Sequence, residues 1–352
     1  MKLLILTQKV DVSDSVLGFF HDWIIEFSKH YEQVTVICLQ MGVFDLPKNV
    51  RVFSLGKESR QSRVLYVFNF FRYVCREHKQ YDQVFVHMNH EYVVLGGLLW
   101  KLLGKKVSLW YTHRQTSATL RIAEKLVDFI FSSSKESFLV PTKKLHTMGH
   151  GINPKNFICA GTPVDQGVYS IVSVGRITEI KNCDILIKAA EILKKTWDQP
   201  FKVTFVGSPV NAKDQVYLDT LKSMVIGAGL QNEIYFVGSV PNTAIAKFYC
   251  SSHLSVNLCP TGGMDKAVLE SLFSKTPVLV TNKVFAPILG RFERDFFVNE
   301  RNEYDLAEKI KAFFNRADRS QVAEELNDIV SRQYTLDRLI SKIVAVLNPV
   351  RV

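Results

Sequence analysis

Ser170-Ile171-Val172-Ser173-Val174-Gly175-Arg176-Ile177-Thr178-Glu179-Ile180-Lys181-Asn182 opens on an apolar, β-branched run and stops it at a glycine. Two cations follow, Arg176 and Lys181, four residues intervening. Ser170–Val174 predicts a buried strand and Gly175 its turn. The next stretch, Cys183–Lys195, carries apolar residues at helical spacing. Strand, glycine turn and helix form the repeating step of an open α/β sheet. Ligands of such sheets sit beyond the carboxyl ends of the strands. An arginine there can fork onto phosphate oxygens, and a lysine adds a point charge. The pair suits a diphosphate that departs as a leaving group. Two surface cations flanking a loop fit the same spacing equally well.

The same step repeats on both sides of this stretch. Downstream, Phe201–Val206 ends at Gly207 and Glu233–Val237 at Gly238, with a helix over Leu218–Ala228 between them. A short helix (Asn242–Cys250), a strand (Leu254–Leu258), a helix (Lys266–Phe273) and a strand (Pro277–Thr281) follow. Upstream, the pattern predicts strands over Lys2–Thr7, Gln33–Leu39, Val50–Ser54, Gln83–His87, Lys106–Tyr111 and Ser137–Val140. Helices over Phe19–His30, Ser62–Gln80 and Tyr92–Leu103 alternate with them. The expectation is two doubly wound parallel-sheet halves, residues 1–162 and 163–330, joined where Gly, Pro and Asp cluster at Gly161–Gly167. No short internal repeat is visible.

Composition sets the outer limits. With 352 residues, 47% hydrophobic and 22% charged, the chain is globular, and disordered or collagenous classes are excluded. Two cores of ordinary size fit this length. No apolar run reaches the ~18–20 residues of a membrane span. Met1–Leu6 reads as a buried strand rather than a signal peptide, because no small-residue cleavage site follows it. The six cysteines, Cys38, Cys75, Cys159, Cys183, Cys250 and Cys259, are scattered. Reduced thiols in the cytoplasm are the expectation, and no metal site is. The net charge of +10 is uneven: residues 51–150 hold 16 Lys+Arg against 7 Asp+Glu. A one-sided basic surface points to an anionic partner.

A second cluster is Pro260-Thr261-Gly262-Gly263-Met264-Asp265-Lys266-Ala267-Val268-Leu269-Glu270. Its glycines permit close backbone approach to a ligand. The helix beginning near Asp265 offers amide N–H groups and a positive dipole end to an anion. Glu270 could accept hydrogen bonds from ribose hydroxyls or be a solvated helix residue.

Taken together, the two clusters resemble the nucleotide-binding half of the family 4 retaining glycosyltransferases, which have the GT-B fold. The family pattern is a Val-Gly-Arg turn, a lysine shortly after it, and a pair of glutamates. Arg176, Lys181 and Glu270 match it. Gly151-Ile152-Asn153 with Phe157, Tyr235-Phe236-Val237-Gly238 and Lys275-Thr276-Pro277-Val278 resemble further family marks, so the likeness runs from about Lys2 to Leu347. It implies two Rossmann-like domains facing a central cleft. The first would bind the acceptor, with residues 331–352 crossing back onto it, and the second the nucleotide sugar. A hexose would pass from a nucleotide-diphosphate sugar to an acceptor hydroxyl with retention, in bacterial glycan or glycolipid assembly. Neither cofactor nor metal is implied.

One position departs from the pattern. The first glutamate of the pair would fall at Gly262, which has no carboxylate. Asp265 on the same loop is one stand-in, bare N–H groups at Gly262 and Gly263 another, and impaired catalysis a third outcome. By resemblance, Arg176, Lys181, His113 and Asp265 are the catalytic candidates, His113 contacting the transferred sugar. Gly18, Gly175, Gly262, Gly263, Met264, Lys266 and Glu270 are the donor-binding candidates. His90, Glu91 and His150 are the acceptor-binding candidates. Asp11, Ser13, Asp14 and Ser15 in the first loop are either acceptor contacts or ordinary loop residues.

The segment Arg60–Lys79 is apolar and basic at once. As an outer helix it would pack on the sheet with a solvated basic edge, which the pattern favours. As an interfacial helix it would meet anionic lipid, and the charge of residues 51–150 narrows the difference. Expected partners are therefore a nucleotide sugar, a glycan or lipid-linked acceptor and an anionic membrane surface, the inner face of the plasma membrane included. Nucleic acid is not expected, since no binding motif is visible. Two other classes stay open: a non-catalytic nucleotide-sugar-binding or membrane-surface scaffold, and a nucleotide-sugar epimerase.

Overall fold

The computed structural model describes residues 1–14, 16–159 and 167–349. Ser15 and most of the expected linker Gly161–Gly167 lie outside the described residues. Two compact units form, one from Met1–Gly151 with Leu336–Val352, the other from Ile152–Thr335. The divide therefore falls before the expected 162/163 and after the expected 330/331. Backbone pairing explains it: Ile152 bridges Thr335, and Phe157 is buried in the second unit's core.

The first unit runs β1 (Lys2–Val10), α1 (Phe19–Ser28), β2 (Gln33–Met41), β3 (Val50–Ser54), α2 (Arg63–Arg76), β4 (Gln83–His87), α3 (Glu91–Leu102), β5 (Lys106–Trp110), α4 (Ala118–Leu126), β6 (Phe129–Ser132) and β7 (Leu145–Thr147). All strands are parallel, in the order β3-β2-β1-β4-β5-β6-β7. Continuous apolar runs such as Leu3–Leu6 are fully buried, as a sheet covered on both faces requires. Helices α2, α3 and α4 supply Phe70, Trp100 and Leu120 to the core on one face. The opposite face packs Trp23 and Phe27 of α1 with residues of the last helix, Leu336–Leu347.

The second unit runs β8 (Tyr169–Val174), α5 (Cys183–Thr196), β9 (Phe201–Val206), α6 (Ala212–Gly227), β10 (Ile234–Gly238), α7 (Ile245–Cys250), β11 (Leu254–Asn257), α8 (Lys266–Phe273) and β12 (Val278–Val280). Helices α9 (Ala286–Leu289), α10 (Glu293–Phe296), α11 (Glu303–Asn315) and α12 (Arg319–Gln333) follow, before α13 (Leu336–Leu347) returns to the first unit. The order β10-β9-β8-β11-β12 is again fully parallel. In each sheet the winding reverses once, between β1 and β4 and between β8 and β11. Those two points are where ligands of doubly wound sheets bind.

Two expectations need correction. Ser137–Val140 is no strand. The hydroxyls of Ser134 and Ser137 bond each other at 2.8 Å around a short 3₁₀ turn, and such local bonding competes with a sheet ladder. The strands of this region are β6 and β7, with α4 before them. Cys159 and Cys250 are not reduced thiols but form a disulfide, their Cα atoms 5.3 Å apart. With these two joined, scattered cysteines no longer argue for a reducing compartment. Among the described residues, no helix is long and apolar enough to cross a membrane.

Candidate functional site

The second switch point gathers both sequence clusters. The loop after β8 carries Gly175, Arg176 and Lys181, and the loop after β11 carries Gly262–Asp265. Gly175 (φ +149°) and Gly207 (φ +145°) occupy backbone conformations that favour glycine. They also touch: a Cβ on Gly207 would run into the Gly175 carbonyl oxygen. Gly207 is therefore required sterically, and Gly175 by its backbone angle.

Two side-chain ties hold the loops against each other. Asn182 adopts a left-handed conformation (φ +49°) at the start of α5, and its Nδ2 donates to the Leu258 carbonyl at 2.8 Å. Arg301 in turn donates to Asn182 Oδ1 at 2.9 Å. The second tie is an ion pair between Lys181 and Asp265. Asp265 Oδ2 also accepts from Asn257 Nδ2 at 3.0 Å, while Oδ1 accepts from the Ala267 amide at 3.3 Å and caps α8. Both carboxylate oxygens are thus engaged. Burial works to raise the Asp265 carboxyl, but Lys181 and Asn257 outweigh it and hold it below the ordinary value. Burial likewise works against the Lys181 charge, and Asp265 reverses the effect, so the ammonium is held above its ordinary value. The pair stays ionised throughout the neutral range.

Around this pair the charges are unequal. Arg176 is exposed, and no hydrogen bond or ion pair among the described residues engages its guanidinium. Its charge reaches Lys181 and Cys259. On α8, burial pushes the Lys266 amine down and the Glu270 carboxyl up, and their mutual attraction resists both shifts. Gly262 is buried, and the Gly263 carbonyl accepts from Asn282 Nδ2 at 2.9 Å. Met264 packs against the second core. With Lys181 matched by Asp265 and Lys266 set against Glu270, Arg176 is left as the surplus charge, and together with the N-terminus of α8 it suits an anion. Asn182, Asn257, Gly207 and Arg301 belong to its framework and were not singled out from sequence. The αL asparagine leaves little sequence signal, whereas Gly207 ends its strand as Gly175 does.

The remaining candidates belong to the first unit, and Gly18 and His90 lie past the ends of β1 and β4, the strands of its switch point. Gly18 ends the loop after β1, and its N–H donates to the Asp14 carbonyl at 3.0 Å. A Cβ there would meet the carbonyls of Asp14 and Val12, so this glycine serves the loop's own packing. Lys9 pairs with Asp14 at 2.7 Å and with Asp11 at 3.0 Å. His90 is buried just past β4, its Nε2 2.9 Å from Thr119 Oγ1 and 3.2 Å from Ser117 Oγ at the start of α4. Glu91 is exposed beside it. His113 is exposed in the loop after β5, where its Nδ1 accepts from the Gln115 amide at 3.1 Å. His150 is buried with its ring centroid 6.1 Å from that of Trp110.

Residues 155–328 match the family model described as glycosyl transferases group 1. No curated protein matches the chain by sequence. Among solved structures, HepE from Anabaena in complex with UDP and glucose is similar at a TM-score of 0.78 and 15% identity, covering 99% of this chain and 100% of that one. Sucrose-phosphate synthase from Thermosynechococcus elongatus is similar at a TM-score of 0.77 and 13% identity, covering 99% and 98%. A trehalose-6-phosphate structure from E. coli, bound with UDP-2-fluoro glucose, is similar at a TM-score of 0.72 and 12% identity, covering 99% of each chain. The family match covers the unit that holds the anion site, and the likeness of fold covers both units. The chain has the GT-B fold, and its second unit carries a glycosyl transferases group 1 domain, which makes it a glycosyltransferase.

Proposed function

We propose that this glycosyltransferase moves a hexose from a nucleoside diphosphate sugar to an acceptor hydroxyl, with retention at the anomeric carbon. The observation that carries this reading is the pairing of two loops at the β8/β11 switch point, one bearing Arg176 and Lys181, the other opening α8. Arg176, uncommitted among the described residues, takes the diphosphate. Lys181 offers it the donors that Asp265 leaves unused, since an ammonium has three. Together they offset charge that grows on the diphosphate as the sugar–oxygen bond breaks, the interaction expected to contribute most to such a transfer. Gly175 lets the backbone approach the phosphates, and Glu270 receives the ribose hydroxyls. Met264 and Lys266 flank them at the head of α8.

Asp265 takes a different part from the one its place in the sequence suggests. With both oxygens engaged, it positions Lys181 rather than the sugar. The sugar then meets the backbone of Gly262 and Gly263. Glu91, His90 and His150 are assigned to the acceptor side. Neutralisation by Arg176 and Lys181 needs no metal, so turnover should be unchanged by EDTA.

HepE has been crystallised with UDP and with UDP-glucose, so uridine donors are the first to try. The experiment is turnover of UDP-, GDP- and ADP-sugars by the intact chain and by an Arg176→Ala/Lys181→Ala variant. Release of one nucleoside diphosphate by the parent, lost in the variant, supports the reading. Equal release by both would overturn the assignment of the diphosphate to these cations. Binding of a nucleotide with no turnover of any donor would overturn the assignment of transfer.

A further inference from the structure

Helices α2, α3 and α4 lie side by side on one face of the first sheet, and each gives one side to a shared core. The rings of Phe70 and Tyr92 stack at 5.9 Å and Phe70 meets Trp100 edge-on at 6.0 Å, which joins α2 to α3. What distinguishes this layer is its outer side. Of the fourteen residues of α2, only Phe70 and Val74 are buried. An outer helix of a doubly wound domain ordinarily turns charged and polar residues outward. Here Val64 is 77% exposed, Phe68 62% and Phe71 37%. They follow each other at helical spacing along one stripe. On α3 the stripe Leu95, Leu98 and Leu102 is exposed by 37%, 66% and 86%. Single exposed apolar residues are ordinary, but two neighbouring stripes on one face mark an interaction surface.

Charge decides what the surface fits. Arg72 lies beside the α2 stripe, Arg63 opens the helix and Arg60 precedes it, all three exposed, and Arg121 lies on the exposed side of α4. Among the described residues none of these four takes part in an ion pair. They belong to the segment 51–150 that carries 16 Lys+Arg against 7 Asp+Glu. A second copy of the chain docking through the same patch would bring like charges together, because a two-fold contact opposes each patch to itself. A bilayer containing anionic lipid does the opposite. Its headgroups neutralise the arginines while its acyl boundary receives the apolar side chains, which are long enough to enter it from a helix lying flat. The arginine stems add apolar contact as their heads reach the phosphates.

We propose that the outer face of α2 and α3 is a docking surface for an anionic lipid bilayer, seated in the interface without crossing it. Each class of side chain has its own part: the arginines select negative lipid, and Phe68, Leu98 and Leu102 hold the protein there. Neither group belongs to the second unit's anion site, so the proposal stands apart from the identity of the donor.

The test is co-sedimentation of the full chain with vesicles of phosphatidylcholine alone and of phosphatidylcholine mixed with phosphatidylglycerol. The expected result is partitioning onto the mixed vesicles only, weakened by salt. Arg63→Glu/Arg72→Glu should lower it by roughly tenfold or more, given the contribution of each basic residue near a charged bilayer. Phe68→Ser/Leu98→Ser should lower it comparably while leaving its preference for anionic lipid intact. Circular dichroism and gel filtration confirm that both variants, altered only at exposed positions, remain folded. Absence of binding to mixed vesicles would overturn the proposal, as would binding that neither variant changes. Self-association of the parent, abolished by Phe68→Ser/Leu98→Ser, in the absence of vesicle binding would assign the face to a second copy instead.

Discussion

Both units wind a parallel sheet outward from a reversal point, yet they treat the charges at that point in opposite ways. In the first unit Lys9 pairs with both Asp11 and Asp14, so this cation is more than matched by carboxylates. Aromatic packing does the rest: His87, at the end of β4, stacks on Phe20 with ring centroids 4.0 Å apart. In the second unit the Lys181–Asp265 pair leaves Arg176 over, exposed beside the N-terminus of α8. The same topology thus yields a cation outnumbered by carboxylates in one unit and a surplus of positive charge in the other. The lesson is that winding order locates a site, while the count of unmatched charges says what enters it. The proposed function places the diphosphate at the surplus.

The contrast breaks most visibly through the cations. Arg176→Ala should lower kcat/KM by about 10²–10³-fold, as expected for removing one donor aimed at developing charge. Lys9→Ala should lower the melting temperature and alter kcat/KM far less. Comparable catalytic losses at both positions would abolish the distinction between the units. Next in size is Gly207→Ala, which sets a Cβ against the Gly175 carbonyl at a backbone angle unfavourable for alanine. It should cost about 3 kcal/mol or more in denaturant unfolding.

Covalent linkage gives a third contrast. Cys159–Cys250, 91 residues apart in sequence, ties the second unit, and the described cysteines of the first unit are free. Reduction should destabilise the second unit by about 2–4 kcal/mol and leave the first unchanged. Hydrogen exchange resolved along the chain, with and without reductant, reads this directly.

The smallest effect is electrostatic. Asp265→Asn leaves Lys181 without its counter-ion and should cost about 2 kcal/mol at neutral pH. In the parent the folded-state pKa of Asp265 lies below its unfolded value near 3.9. Its contribution is therefore present above that unfolded value and lost as pH falls through the lower folded one. The variant should show less of this acid loss, and unfolding curves that stay parallel across acid pH would contradict the pair's role.

Periodic segments were legible because one interaction dominates them. Gln83–His87, Phe201–Val206 and Lys266–Phe273 occupy the bounds that their apolar pattern predicts, since buried parallel strands and amphipathic helices carry their period in sequence. As candidates, Arg176 and Lys181 were legible from their spacing after a strand, and Glu270 from the family pattern. Their relation to Asp265 was not: Lys181 and Asp265 lie 84 positions apart and meet only because β8 and β11 are neighbours in the sheet. The disulfide was hidden for the same reason. Local rules failed where local bonding replaced them, as in the serine turn that removes the expected strand at Ser137–Val140. The exposed stripe of α2 was read as an apolar segment, but which side it turned outward depends on Phe70 and Val74 alone reaching the core.

The central claim is that the positive surplus at the β8/β11 switch point binds the donor's diphosphate. Calorimetric titration of the intact chain with UDP, GDP and ADP tests it most directly, with the Arg176→Ala/Lys181→Ala variant beside it. The account predicts saturable binding of at least one nucleotide by the parent and about a hundredfold or greater loss of affinity in the variant, the sum of two charge-assisted contacts of ~1.5 kcal/mol or more each. Equal affinity in parent and variant would contradict it.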